Sequence, residues 1–258
     1  MVGDQHRVKR ISNLFDKIDV KKEKREFVTH TGWYKGKRIT ALSTGIGCDN
    51  IDIVVNELDA IANIDLDTRL IKKTPRKLNI IRLGTSGALQ ADIPVDSFVI
   101  SSYGLGFDGL AQFYETSFEE DEKALQQEFI KQVNWKEELN QPYFAKANNE
   151  LVKRIEEGMI KGITATANGF YGPQGRSLRL APNVPDLNER LNQFSFQGHR
   201  ITNFEMETSA LYALGGMLGH NTATVCAIIA NRFTKTFSED YKKTVDKLIK
   251  VLLDRLVK

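Results

Sequence analysis

Several short segments of the chain carry residue types suited to holding an anion and a heterocycle. In Gly3-Asp4-Gln5-His6-Arg7, the glycine lets backbone N–H groups approach an oxyanion, and the arginine four residues on can clamp it with paired donors. Alone this signal is weak, equally that of an exposed turn, and His6 reads as a surface residue. Arg82-Leu83-Gly84-Thr85-Ser86-Gly87 comes at the end of Leu78–Leu83, an Ile-rich run with the mark of a buried parallel strand. An arginine there needs a partner, since an unpaired buried charge is expensive. A structural ion pair would satisfy it, but the adjoining Gly-Thr-Ser-Gly favours an anion site, at the strand end where α/β sheets place ligands.

Phe170-Tyr171-Gly172-Pro173-Gln174-Gly175-Arg176 puts an aromatic pair and a Gln/Arg pair on either side of a Gly-Pro turn. A Gln amide suits a planar –NH–C(=O)– edge, the arginine can neutralise a carbonyl oxygen that gains charge, and a phenylalanine face stacks on a ring. Any one of these in an ordinary polar loop would mean little; all within seven positions point to a base site. In Asn203-Phe204-Glu205-Met206-Glu207 a strand hands over to a helix, and two carboxylates at i and i+2 face the same way if the strand continues. Paired acids on one element do not flank a scissile bond, as glycoside hydrolysis requires. Accepting hydrogen bonds from sugar hydroxyls is the better use, with one of the two free to cap the helix. Asn231-Arg232 closes the last apolar run at an expected sheet edge, and Ser43-Thr44-Gly45-Ile46-Gly47 resembles a dinucleotide loop only weakly. His30, His199 and His220 show no metal-ligand spacing, Cys48 and Cys226 read as packing residues, and no metal is assigned.

The elements that must position these segments alternate. Strands are expected at Lys37–Ser43, Leu78–Leu83, Val95–Ser102, Met159–Ala167, Ile201–Phe204 and Thr222–Ala230. Helices are expected at Asn50–Ile64, Ala147–Glu157, Glu207–Leu218 (interrupted at Gly215-Gly216) and Glu239–Val257. The pattern predicts an α/β fold, a single domain over residues 1–258, with a central mixed or largely parallel sheet flanked by helices. The polar, acidic segment Glu115–Gln141, with a helix around Lys123–Gln132, reads as an insertion, and the run Lys21–Arg25 as a solvated surface.

The 258 residues include 36 Lys and Arg against 33 Asp and Glu, a net +3, with 41% hydrophobic residues. That balance excludes general disorder and offers no electrostatic argument for nucleic acid or an anionic membrane. No apolar run approaches the roughly 18 residues of a membrane helix. The amino-terminal residues lack the apolar core of a signal peptide, and two cysteines fit a reducing cytoplasm.

Taken together, Val2-Gly3-Asp4…Arg7, Ser43–Gly47, Arg82–Thr85, Phe170…Gln174-Gly175-Arg176, Asn203…Glu207 and Asn231-Arg232 resemble the nucleoside phosphorylase family, over nearly the whole chain. The Phe-Tyr…Gln…Arg loop resembles the branch that cleaves uridine. The resemblance implies that phosphate, as co-substrate and with no other cofactor, is held by Gly3, Arg7, Arg82 and Thr85, and by Arg25 donated across a dimer interface. It further implies that Met206 and Glu207 meet the ribose, and that Phe170, Gln174, Arg176 and Arg232 meet the base. Arg176, Gln174, Arg82 and Glu207 would then carry catalysis, and uridine and phosphate would become uracil and ribose 1-phosphate. A cytoplasmic homo-oligomer, dimer or hexamer, is implied, acting in pyrimidine nucleoside salvage. The family has a strand and a histidine ahead of the Gly-Asp loop; this chain starts inside that loop, so both are expected to be missing, through a shortened chain or a displaced start. Three alternatives remain: a hydrolytic nucleosidase, disfavoured by Arg7, Arg25 and Arg82; a purine phosphorylase, disfavoured by Asn231-Arg232 and Gln174/Arg176; and a non-catalytic nucleoside-binding protein of the same fold.

Overall fold

The apolar runs of the chain become strands of one mixed sheet, and the computed structural model, which describes residues Met1–Lys258, shows that sheet closing on itself. In chain order the elements are α1 (Gln5–Ser12), β1 (Lys17–Lys24), β2 (Phe27–Tyr34), β3 (Lys37–Leu42), α2 (Cys48–Asn63), β4 (Asn79–Ala88) and β5 (Phe98–Gly106). There follow α3 (Glu120–Val133), β6 (Tyr143–Lys146), α4 (Asn149–Ile155), β7 (Ile160–Thr166), α5 (Leu187–Gln193), β8 (Ser195–Phe196) and β9 (His199–Glu205). The chain ends with α6 (Thr208–Met217), β10 (Asn221–Asn231), β11 (Thr236–Phe237) and α7 (Tyr241–Leu256).

The main sheet runs β11-β10-β4-β9-β7-β5-β6. The pairs β10/β4, β5/β7 and β7/β9 are parallel. An antiparallel contact of Val225–Ala227 with Phe98–Ile100 joins β10 back to β5, so five strands form a closed ring. Closure removes the exposed edges of the ring strands. The ring has a polar interior: the Thr164 hydroxyl donates to Asn203 Oδ1, and Asn203 Nδ2 donates to Ser86 Oγ, each at 2.9 Å, all three residues being buried. The apolar cores lie outside it. One gathers Val8, Ile51, Val55, Leu211, Tyr212, Leu248 and Leu252 from the helices. The other stacks Phe107, Phe129, Phe144, Phe194 and Phe204.

The α/β architecture with a mixed sheet is as expected, but several details differ. Lys21–Arg25 is solvent-exposed, yet Lys21–Lys24 are part of strand β1, and β1, β2 and β3 form a separate antiparallel sheet. The solvated face carries no apolar alternation, so the strand leaves no sequence signature. β4 does not end at Leu83 but continues through the glycine-rich stretch to Ala88. β5 starts and ends about one turn of sequence later than expected, at Phe98–Gly106. β10 is a central strand, not an edge. α6 is unbroken through Gly215-Gly216. Segment 115–141 is woven into the core: α3 buries Leu125, Phe129 and Val133, and Trp135 stacks on Phe107 at 4.7 Å. At the amino terminus, Val2 bridges Ser43 in parallel and Met1 O accepts from Leu83 N, so these two residues lie between β3 and β4 and link the two sheets.

Candidate active site

Strand β4 is the axis of the site. Arg82 stands at one end of its glycine-rich stretch, and Gly87 at the other packs against Arg232, whose Nε lies 3.2 Å from where a Cβ would be. They stand five steps apart along the strand, about 16 Å at the rise of a β-strand. Thr85 lies half-buried between the two ends.

At the first end Asp4 caps α1 through its side chain, which accepts from His6 N, and this turns Arg7 inward. Arg7 is 6% exposed, donates from Nη1 to Leu83 O at 3.2 Å, leaves Nε without a partner, and has no carboxylate in ion-pair range. Burial, and after it the neighbouring Arg82, pushes its guanidinium below the usual arginine range. Gly3 sits beside it, its backbone against Gly45. Arg82 is also buried but doubly paired: Nη1 lies 3.0 Å from Glu205 Oε2, and Nη2 contacts Glu207 Oε2. Burial lowers its pKa, but Glu207 and Glu205 more than offset that and hold the charge firmly. Gly84 makes this geometry possible, since a Cβ there would stand 2.0 Å from Arg82 Nη1.

Both acids come from the β9–α6 junction but are held differently. Glu205 accepts from the backbone N–H groups of Glu207 and Thr208 and from the Thr166 hydroxyl, so it is the capping acid of α6 as well as a partner of Arg82. Glu207 Oε1 accepts one bond, from Gly47 N at 2.9 Å. Gly47, at φ +100, is the residue that starts α2, so the positive end of that helix faces Glu207. Burial raises the Glu207 carboxyl above the usual glutamate range, in spite of Arg82. Met206 is half-buried between the two acids, its carbonyl accepting from Cys48 Sγ.

At the second end Gln174 is buried, and its Oε1 accepts from Arg176 Nη1 at 2.7 Å and from Arg232 Nη2 at 2.6 Å. Arg232 Nη1 also donates to Gln174 O at 2.8 Å. Neither arginine has an acidic partner. Burial lowers both guanidinium pKa values, with Arg176 adding to the effect on Arg232. Phe170 is 51% exposed, and the Arg176 guanidinium lies 3.9 Å over its ring. Asn231 is fully committed to backbone: Nδ2 donates to Gln90 O and Ile93 O, while Oδ1 accepts from Phe233 N and Thr234 N.

Of the residues singled out from sequence, Gly3, Arg7, Arg82 and Glu207 converge at one end and Phe170, Gln174, Arg176 and Arg232 at the other. Arg25 does not join them within the chain. It occupies the exposed tip of the β1–β2 hairpin at φ +54 and forms no ion pair, although the adjacent Glu26 packs against Gly45. The reading missed Glu205 as the second partner of Arg82 and Gly47 as the donor to Glu207. The i, i+2 acids flagged the first; nothing local flags the second, which depends on the α2 start meeting the β9–α6 junction.

One end thus sets Arg7, which has no countercharge, beside the doubly paired Arg82, and the other gathers Arg176 and Arg232, without acidic partners, around a buried amide. The whole chain, residues 1–258, matches the Phosphorylase superfamily, and the protein belongs to that family. Its relatives are nucleoside phosphorylases, and it is a phosphate-using pentosyltransferase. A uridine phosphorylase of Thermococcus kodakarensis is 31% identical over 254 residues, 93% of this chain and 75% of that one. A DeoD-type purine nucleoside phosphorylase of Bacillus thuringiensis is 27% identical over 258 residues, 99% of this chain and 91% of that one. Among solved structures, a Trypanosoma brucei nucleoside phosphorylase described as showing uridine phosphorylase activity superposes with a TM-score of 0.85 at 30% identity, covering 99% of this chain and 91% of its own.

Proposed function

We propose that the protein cleaves uridine with phosphate to give uracil and ribose 1-phosphate. The observation that carries this reading is the convergence of Arg176 and Arg232, neither with an acidic partner, on the buried Gln174. Two cations and an amide suit the N3–C4 edge of a uracil and stabilise the charge that collects on its carbonyl oxygens as the glycosidic bond breaks, an effect worth roughly 3 kcal/mol per donor. The full use of Asn231 by backbone groups leaves it nothing to offer a purine, which supports a pyrimidine. Arg7, Arg82, Gly3 and Thr85 hold phosphate, Glu207 and Met206 meet the ribose, and Phe170 stacks on the base. Phosphate oxygen forms the new bond to C1′ while the C1′–N1 bond breaks, and the proton of the phosphate passes to the base through solvent. Arg25 completes the phosphate site of a partner subunit in a homo-oligomer built from dimers, a dimer or hexamer acting in the cytoplasm in pyrimidine salvage. Uracil release from uridine, with and without phosphate, beside an inosine control, tests the reading. Release that requires phosphate and spares inosine is expected; phosphate-independent release, or preferred cleavage of inosine, overturns it.

A further inference from the structure

Arg82, assigned above to the anion, and Glu207, assigned to the sugar, neutralise each other in a buried ion pair. We infer that the Arg82–Glu207 ion pair is an exchangeable latch, with Glu205 as the fixed positioning residue, so that the anion and the nucleoside bind with positive coupling. The inference rests on the roles proposed above for Arg82 and Glu207.

The two carboxylates on Arg82 are unequal. Glu205 is pinned by the Glu207 and Thr208 N–H groups and the Thr166 hydroxyl, and cannot leave without uncapping α6. Glu207 is held, Arg82 apart, by the Gly47 N–H alone. An anion arriving beside Arg7, which lacks a countercharge, competes with Glu207 for Arg82 and repels it. Glu207 would then be a buried carboxylate short of donors, an unfavourable state unless hydroxyl groups reach it. Vicinal ribose hydroxyls provide those donors. Conversely, a nucleoside that draws Glu207 away leaves one edge of Arg82 open, and an anion fills it. Each ligand thus removes the cost that opposes the other, which is a coupling free energy between two sites and reciprocal by necessity. Glu205 keeps Arg82 aligned throughout, so the exchange moves one side chain and no backbone.

The test is isothermal titration of the 258-residue chain with sulfate, an unreactive stand-in for phosphate, and with uridine, each alone and in the presence of the other. Saturating uridine is expected to tighten sulfate about fivefold or more, and sulfate to tighten uridine by the same factor. In Glu207→Gln, which cannot form the ion pair, sulfate alone should bind more tightly than to the unaltered protein, and the coupling should vanish. Independent binding in the unaltered protein, with coupling below about twofold, overturns the latch, and that result needs no variant to fold. Weaker sulfate binding by a folded Glu207→Gln overturns it as well. Phosphate-dependent uracil release on the same preparation separates the two readings. Its absence, with sulfate tightened in Glu207→Gln, removes the proposed substrate and supports the latch. Its presence with uncoupled binding removes the latch alone.

Discussion

Arg82 reaches its position because Gly84 leaves room for it, and that dependence is testable at a single atom. A methyl group at residue 84 would overlap the guanidinium and also stand 2.9 Å from Cys226 Sγ. Gly84→Ala should cost about 1–3 kcal/mol in thermal unfolding, the usual range for overpacking a filled interior. Its phosphate KM should rise far more than its uridine KM, because the displaced group faces the anion. Glu207 allows a second measurement. It faces Arg82 from β4, Glu205 from β9, Cys226 from β10, and Cys48 and the Gly47 N–H at the start of α2. With its pKa raised by burial, the native protein takes up this proton before the unfolded chain does. The penalty for holding the charge is therefore present above the folded pKa and relieved as pH falls through it, in the window just above the ordinary glutamate range. Protonation also releases Arg82. Sulfate, whose charge is constant in that window, should bind more tightly as pH falls, and Glu207→Gln should flatten the profile. A flat profile in the unaltered protein would contradict this assignment.

Segment 115–141 holds the helix expected within it, and the structure adds what that helix packs against. Its acidic opening, Glu119-Glu120-Asp121-Glu122, leads into the expected helix, α3, where Glu119 and Glu122 make a reciprocal cap. The apolar residues that matter, Leu125, Phe129 and Val133, follow at helical spacing and join the aromatic core under β6 and β9. Phe129→Ala should therefore destabilise by about 3–5 kcal/mol, read as a lowered Tm, while leaving both KM values unchanged at temperatures where the protein is folded. A neutral effect on Tm would return this helix to the surface. The chemistry-bearing segments were legible because arginine, glutamine and glutamate beside glycine carry a meaning independent of fold. Strand boundaries were less so. Gly84 and Gly87 interrupt the apolar run of β4 although the ladder to β10 continues past them to Ala88. The Gly47 contact with Glu207 spans 160 residues and belongs to no local pattern.

Ring closure belongs to the same class of facts, since the β5–β10 pairing joins strands more than a hundred residues apart and appears only once β4, β7 and β9 have set the curvature. The finished molecule gathers its candidate site residues on and around a closed, hydrogen-bonded ring, with one exception. Arg25 alone among the expected phosphate ligands is exposed, unpaired and in the left-handed region, a conformation that costs a non-glycine residue about 1 kcal/mol or more. The two-residue turn between Lys24 and Phe27 demands that backbone, so it is the exposure of an unpaired arginine at the hairpin tip that makes a site shared across a two-fold axis worth testing. Co-expressing Arg25→Ala with Glu207→Gln decides the matter. Each variant alone should be nearly inactive in phosphorolysis. In a mixed dimer with shared sites, one site collects both substitutions and the other collects neither. Random pairing should then restore activity to about a quarter of the unaltered level, as two-fold symmetry dictates. If Arg25 serves its own subunit, every site in the mixture retains one defect and no activity returns. If it serves no site, Arg25→Ala is active by itself.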